Sequence, residues 1–376
     1  MSSHPSRVGV LFGGPSPEHD VSILTGLQAA RALRDVPGIA GVQALYWAKT
    51  GAFFAVGADA EAEAFAPGAP PGAEPLELVL GPEGGFVARR GGLRPRRETL
   101  ALDAVLVCCH GGPGEDGALQ GALDLAGVAY SGPSAAGAAA GMDKLASYAL
   151  ARAAGLSVLE RRLLHPGVKA LDFEGPYILK PRFGGSSIGI EVVADLATAR
   201  DRLVASPHLR RGAVVEPYRP ELFDLQIALR SYPVLALSAI ERPLRKSAGA
   251  EILNYADKYV GGQGMIAAPR ELPAELPDAL AAELRAAAVE AAGALSLRGV
   301  ARIDFLCDGT ALYFNEINTV PGSLARHLFV DPPLPFATLL GDLLAEAVER
   351  PAAQLSSAGA DGSVLRSAGS IAAKLA

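Results

Sequence analysis

Short apolar runs broken by glycine-dense polar segments recur along the first third of the chain. Arg7-Val8-Gly9-Val10-Leu11-Phe12 stops at Gly13-Gly14-Pro15, which predicts a buried strand followed by a turn. Val21 to Leu33 has helical spacing, and a second strand is predicted from Val42 to Trp47. Residues 66–97 are rich in Pro, Gly and Arg, the composition of an irregular or hairpin-bearing excursion that carries little chemistry. Ala104 to Cys109 is the next buried strand, ending in the polar segment His110-Gly111-Gly112-Pro113-Gly114-Glu115-Asp116-Gly117, with a helix following through Leu125. Strands alternating with helices imply a parallel sheet, whose ligands would sit at the carboxyl ends of strands, where the Gly13 and His110 loops lie.

Beyond Ser131-Gly132-Pro133, the Ala-rich stretch from Ala135 to Ala154 predicts a helix, and Tyr177–Lys180 and Gly189–Val193 predict two strands around a glycine loop. A third unit follows: β-like runs at Val214-Val215, Leu225–Leu229 and Val234–Ile240, a helix from Pro277 to Leu295, then strands at Val300–Phe305 and Ala311–Phe314. The expected division is an N-terminal α/β domain over residues 1–134, a small central α+β domain over 135–213, and a C-terminal α+β domain over 214–352. Residues 353–376, rich in Ser, Ala and Gly, are expected to form a flexible tail. No repeat of 20–50 residues is present.

Composition narrows the function. The chain has 376 residues, half of them hydrophobic and 20% charged, enough for two or three folded domains. Its net charge of −6, without a local basic patch, argues against a nucleic-acid partner. Of three cysteines, Cys108 and Cys109 are neighbours in an apolar run, so neither a disulfide framework nor a tetrahedral zinc site is indicated. The chain shows neither a secretory leader pattern nor 18 uninterrupted apolar residues, and a cytoplasmic protein without membrane contact is expected.

Asp304 lies inside the apolar strand Arg302-Ile303-Asp304-Phe305, and Glu316 and Asn318 stand two apart after Leu312-Tyr313-Phe314, so each pair of alternate residues shares a strand face. Three oxygen ligands on adjacent strands suit Mg²⁺, which keeps waters and takes phosphate oxygens; a solvated sheet edge would also account for them. Arg302 shares the face of Asp304, as a phosphate-directed cation or as a structural ion pair. Lys180-Pro181-Arg182-Phe183-Gly184-Gly185-Ser186-Ser187-Ile188-Gly189 could fold backbone N–H groups over phosphates, or be a plain glycine-rich hairpin. It lacks the Gly-Lys-Ser/Thr of a Walker A loop, and Gly9 with Gly13-Gly14 misses the G-x-G-x-x-G spacing, which disfavours a dinucleotide reductase.

In order, Phe12 to Ser22, the HGGPGEDGALQG run from His110 to Gly121, Met142-Asp143-Lys144, Lys180 to Gly189, Asp257-Lys258-Tyr259, and Arg302-Ile303-Asp304 with Asn315 to Thr319 resemble the ATP-grasp superfamily and, within it, the D-alanine-D-alanine ligase family. The resemblance spans roughly residues 7 to 350 and implies a three-domain ATP-grasp fold. It also implies ADP-forming ligation for peptidoglycan precursor synthesis, in which ATP phosphorylates the carboxylate of one D-alanine and the amine of a second attacks the acyl phosphate. By resemblance Lys144 and Lys180 hold the nucleotide phosphates, Gly185, Ser186 and Lys258 also belong to the ATP site, Glu216 marks the adenine-side hinge and Asp224 falls near the ribose site. Glu18 grips the first substrate's ammonium in a chain with Ser186 and Tyr259, beside Val21 and His110. Lys258 and Tyr259 belong to a closing loop. Arg302 and the backbone of Gly322 stabilise the tetrahedral centre, and Asp304, Glu316 and Asn318 bind two Mg²⁺ ions, with Mn²⁺ able to substitute. A homodimer is implied.

After Pro321-Gly322 the chain departs from the family pattern. It reads Ser323-Leu324-Ala325-Arg326-His327-Leu328, with His327 where the family has a serine near the second substrate's carboxylate, so Ser323, His327 and Leu328 are the expected acceptor residues. A related ligase joining D-alanine or another amino acid to D-lactate, D-serine or a specialised amino acid is the alternative function. A non-catalytic nucleotide-binding scaffold is the alternative of a different class.

Overall fold

The computed structural model describes residues 5–90, 96–244, 269–353 and 356–374. Three sheets follow one another along the chain. The first contains β1 (Arg7–Gly13), β2 (Gly41–Trp47), β3 (Phe53–Val56), β4 (Glu74–Val79), β5 (Gly85–Arg90), β6 (Arg96–Thr99) and β7 (Ala104–Val107), in the order β6-β5-β4-β3-β2-β1-β7. Only β2, β1 and β7 are parallel, and each of the other neighbouring pairs is antiparallel. The expected parallel sheet is thus a mixed one. The reason is connection length: a parallel pairing needs a crossover of a dozen or more residues, whereas β2 and β3 are joined by the short turn after Trp47 and the 66–97 excursion folds back as hairpins.

Alternation along β1 divides its side chains between two cores. Val8, Val10 and Phe12 face helix α1 (His19–Ala32) through Ile23, Leu27 and Ala30, while Leu11 faces Val105, Val107, Leu119 and Leu123, the last two on helix α2 (Ala118–Leu125). The 135–154 helix of the sequence reading is two helices, α3 (Ala135–Met142) and α4 (Lys144–Ala153). Asp143 separates them: its backbone is extended, its carboxylate accepts from the N–H groups of Leu145 and Ala146, and Arg182 pairs with it. An N-cap aspartate stops one helix and starts the next, leaving Lys144 at the new N-terminus.

The second sheet, ordered β10-β9-β11-β8, comprises β8 (Arg162–Leu164), β9 (Tyr177–Pro181), β10 (Glu191–Val193) and β11 (Ala213–Pro217), and packs on helix α5 (Leu196–Ala205). The third, ordered β14-β13-β12-β15-β16, is antiparallel throughout: β12 (Phe223–Arg230), β13 (Ala236–Pro243), β14 (Arg270–Glu271), β15 (Val300–Cys307) and β16 (Leu312–Asn318). Its rear residues Leu225, Ile227, Ile303, Phe305 and Phe314 bury against Leu280, Leu284 and Ala288 of helix α6 (Asp278–Ala294). Its front alternates into polar side chains.

The chain then returns to its beginning. Residues Val320, Leu324, Leu328 and Phe329, and Leu339, Leu340, Leu343 and Leu344 of helix α7 (Phe336–Glu349), complete the core over Val8, Val10 and Phe12. In the tail, two short helices, Ser363–Ser367 and Ile371–Lys374, expose Val364, Leu365 and Ile371 to solvent.

Candidate active site

The front of the third sheet carries a row of polar residues fixed by strand register. Glu241 on β13 lies opposite Gln226 on β12, Gln226 opposite Asp304 on β15, and Asp304 opposite Glu316 on β16. Beside it runs a second row in which Arg302 lies opposite Asn318. Arg302 holds Asp304 through two parallel hydrogen bonds, Nε to Oδ1 and a terminal nitrogen to Oδ2, both at 2.7 Å, and Asn318 Nδ2 reaches the same carboxylate at 3.4 Å. The alternation expected for Asp304, Glu316 and Asn318 therefore brings them together.

The register slips after Asp304, so Asn315 is the extra residue of a β-bulge. A bulge re-aims the chain locally. Asn315 Oδ1 accepts from Lys180 Nζ at 3.1 Å, and its carbonyl accepts from Arg161 at 2.9 Å. Lys180 also donates to Glu216 Oε2 at 2.9 Å, while the Arg161 guanidinium lies 2.8 Å from Glu216 Oε1. Burial presses the Lys180 ammonium below its ordinary value, with Glu216 opposing. Glu216 is almost wholly buried, which alone would push its carboxyl up, but Arg161 and Lys180 hold it below the usual range.

Lys144 donates to Glu316 Oε2 at 2.7 Å and to the carbonyl of Gly184 at 2.9 Å, joining the glycine loop to the carboxylate row. In that loop Ser186 and Ser187 take left-handed backbone conformations, and the Ser186 hydroxyl donates to Glu18 Oε1, the N-cap residue of α1. Gly185 lies beside the same carboxylate. Gly111 has to be glycine: its φ is +63°, and a Cβ there would stand 2.4 Å from Glu18 Oε2. Val21 is half-buried in the first turn of α1.

His110 is buried where three segments meet. A carbonyl can only accept, so its Nδ1 donates to Val320 O at 2.7 Å; Nε2 pairs with the Thr25 hydroxyl at 2.8 Å, and Thr25 Oγ1 accepts from Ser323 N–H at 3.0 Å. Burial lowers the His110 value despite the nearby Glu18 charge, favouring the neutral ring in which Nε2 accepts. Ser323, Leu324 and Ala325 have positive φ, winding the turn Gly322–Leu328 tightly over α1, with Leu328 fully buried in the first core. His327 Nε2 pairs with Glu241 Oε2 at 3.2 Å. Asp224, half-buried at the start of β12, shares the face of Gln226. Lys258 and Tyr259 lie outside the described residues.

The sequence reading assigns no role to Arg161, Asn315, Glu115, Thr25 or Glu241. Glu115 is buried between the two loops it joins, accepting from Gly111 N–H and Val320 N–H, both at 2.9 Å. Burial, reinforced by the Glu18 charge, pushes its carboxyl up to about 7, so between the ordinary value of 4.5 and about 7 the folded state binds more protons than the unfolded one. Stability therefore falls as pH rises through that window, by about 3 kcal/mol for this group. Urea unfolding at pH 5 and pH 8 is expected to show a larger loss for the native chain than for Glu115→Gln; parallel losses would remove Glu115 as the cause.

Paired carboxylates on one antiparallel sheet, met by Lys144 at a helix start and neighboured through Asn315 by Lys180 on a strand of a second, fit an ATP-grasp ligase. Residues 7–133 match the family described as D-ala D-ala ligase N-terminus, and residues 140–332 match D-ala D-ala ligase C-terminus. The D-alanine-D-alanine ligase of Mycolicibacterium smegmatis is 32% identical over 382 residues, spanning 93% of this chain and 98% of that protein. The ligase of the same description from Anaeromyxobacter sp. is 32% identical over 330 residues, covering 86% and 89%. In solved structures, the D-alanine-D-alanine ligase of Helicobacter pylori superposes with a TM-score of 0.72 at 26% identity, covering 91% of this chain and 99% of its own. The VanG D-Ala:D-Ser ligase of Enterococcus faecalis shares the fold, with a TM-score of 0.71 at 23% identity over 91% and 99%. The chain belongs to the D-alanine-D-alanine ligase family, whose members are ADP-forming ligases.

Proposed function

We propose that this enzyme phosphorylates the carboxylate of D-alanine with ATP and transfers the acyl group to the amine of a second D-alanine, supplying a peptidoglycan precursor in the cytoplasm as a homodimer. The observation that carries the reading is the bridge from Ser186 to Glu18, which sets an ammonium-binding carboxylate of the first layer against the glycine loop, with the Asp304–Glu316 row reached from the same loop through Lys144.

Each matched residue has a physical task in this reaction. Lys144 and Lys180 offer fixed charges to phosphate oxygens. Two carboxylates and an amide, Asp304, Glu316 and Asn318, fit Mg²⁺, which needs few protein ligands because waters and phosphate oxygens complete its shell. When bound, two Mg²⁺ ions, or Mn²⁺ in their place, would neutralise charge on the reacting phosphates. Arg302 is positioned through Asp304 to face negative charge developing on the attacked carbonyl, with the N–H of Gly322 as second donor. Glu18 and Ser186 hold the first D-alanine, with Val21 and His110 beside it. Glu216 and Asp224 border the adenosine.

His327 beside Glu241 favours a second reading, in which the acceptor is another amino acid or a hydroxy acid. Phosphate release from Mg-ATP with D-alanine alone, then with D-lactate, D-serine or L-alanine added, with products identified by mass spectrometry, separates the two. Efficient D-alanyl-D-alanine formation supports the first reading, and poor self-ligation with efficient use of another acceptor supports the second. ATP binding without turnover of any pair would leave a nucleotide-binding scaffold.

A further inference from the structure

Glu241 closes the polar row at the end away from Glu316, two strands from Asp304 and so about 10 Å along the sheet. It is 4% exposed, with one oxygen 3.2 Å from an Arg270 nitrogen and the other 3.2 Å from His327 Nε2. Burial pushes its carboxyl up, but His327, Arg270 and Arg302 hold it below the ordinary range, so it is a carboxylate and can only accept. His327 Nε2 must therefore donate, so the position on this ring where a proton can be gained or lost is Nδ1. No hydrogen bond to Nδ1 is present among the described residues. His327 stands five residues beyond Gly322 on the tight turn packed against β13, β12 and β15, and the charge on Arg302 reaches its partner Glu241. An imidazole oriented by a buried carboxylate, with its other nitrogen unengaged, is the arrangement of a general base.

We infer that His327, oriented by Glu241, takes a proton from the ammonium of the incoming acceptor amino acid. The inference rests on the ligase reading above. The acceptor amino group arrives as an ammonium and cannot attack until it loses a proton. His327 Nδ1 accepts that proton, and the resulting imidazolium is balanced by Glu241. The freed amine lone pair forms the C–N bond at the acyl phosphate carbonyl, the bond between that carbon and the bridging phosphate oxygen breaks, and phosphate leaves with the electron pair. The attacking nitrogen passes its surplus proton to that phosphate, and the imidazolium returns its own to solvent. The charged groups gathered about the pair are Arg270 on β14, which reaches the other Glu241 oxygen, and Arg302 on β15, with Arg326 the chain neighbour of His327.

Hydroxylamine separates the base from the rest of the machinery, because it is largely unprotonated at neutral pH and intercepts the acyl phosphate without needing a base. The full-length enzyme and His327→Gln, which keeps a donor for Glu241 but cannot take up a proton, are compared for D-alanyl hydroxamate and for peptide formation across pH 6.5 to 9.5. The expected result is hydroxamate formation within about twofold of the native rate, and kcat/KM for the amino-acid acceptor reduced about 100-fold at pH 7, a gap that narrows as the acceptor amine deprotonates unaided. His327→Ala should behave alike. Equal losses of hydroxamate and peptide, or an unchanged peptide rate with an unchanged pH profile, would overturn the assignment of the base. Absence of hydroxamate from the native enzyme would instead overturn the ligase reading on which it rests.

Discussion

Glu316→Gln is expected to lower Mg²⁺-dependent ATP turnover about a thousandfold, the equivalent of some 4 kcal/mol in the barrier, while leaving the unfolding midpoint in urea nearly unchanged. The side chain is 24% exposed, and Lys144 pairs with it at 2.7 Å. Glutamine preserves its volume and an oxygen for Lys144, so little packing is lost. It removes the negative charge that makes this end of the row attractive to a divalent cation. Phosphate release titrated with Mg²⁺, alongside a urea melt, checks both halves. Native turnover with native Mg²⁺ dependence would take Glu316 out of the metal site.

Glu216→Ala is expected to do the reverse, striking stability first. The Arg161 and Lys180 side chains are 3% and 6% exposed, and Glu216, at 1%, is the carboxylate between them. Removing the centre of a buried ion triad leaves two cations facing each other away from water, a loss of about 3–5 kcal/mol. Lys180 would keep Asn315, which offers no charge. Urea unfolding measures the loss directly, and a nucleotide-binding titration on the remaining folded protein should show weakened ATP affinity because Lys180 is no longer held. A shift below about 1 kcal/mol would show that water reaches this network, and that the pairing is weaker than burial implies.

Much of the site was legible in the sequence because strand alternation is a local rule. Arg302 and Asp304 two apart, and Glu316 and Asn318 two apart, already stated which side chains share a face, and register needed only to bring the two strands together. What escaped the reading depends on contacts distant in sequence. Asn315 matters because the ladder slips by one residue after Asp304, and a slip leaves no local mark. Arg161 and Glu115 look like ordinary charged residues in a loop, and only burial against Glu216 in one case and the Thr319–Val320 segment in the other gives them a role. The helix break at Asp143 was signalled by an N-capping residue ahead of Lys144 but was hidden by the alanine-rich surroundings, which favour helix on either side. Helix α7 carries a clear apolar stripe at Leu339, Leu340, Leu343 and Leu344, whereas α5 buries only Ala199 and leaves almost no periodic signal.

The return of the chain to its first sheet bears on how the protein is made. Val8, Val10 and Phe12 emerge from the ribosome early, but the leucines of α7 that cover them arrive more than 300 residues later. Until then one flank of the sheet presents an uncovered apolar surface, so the nascent chain has to be shielded through much of its synthesis, and loss of helix α7 would expose a surface prone to self-association.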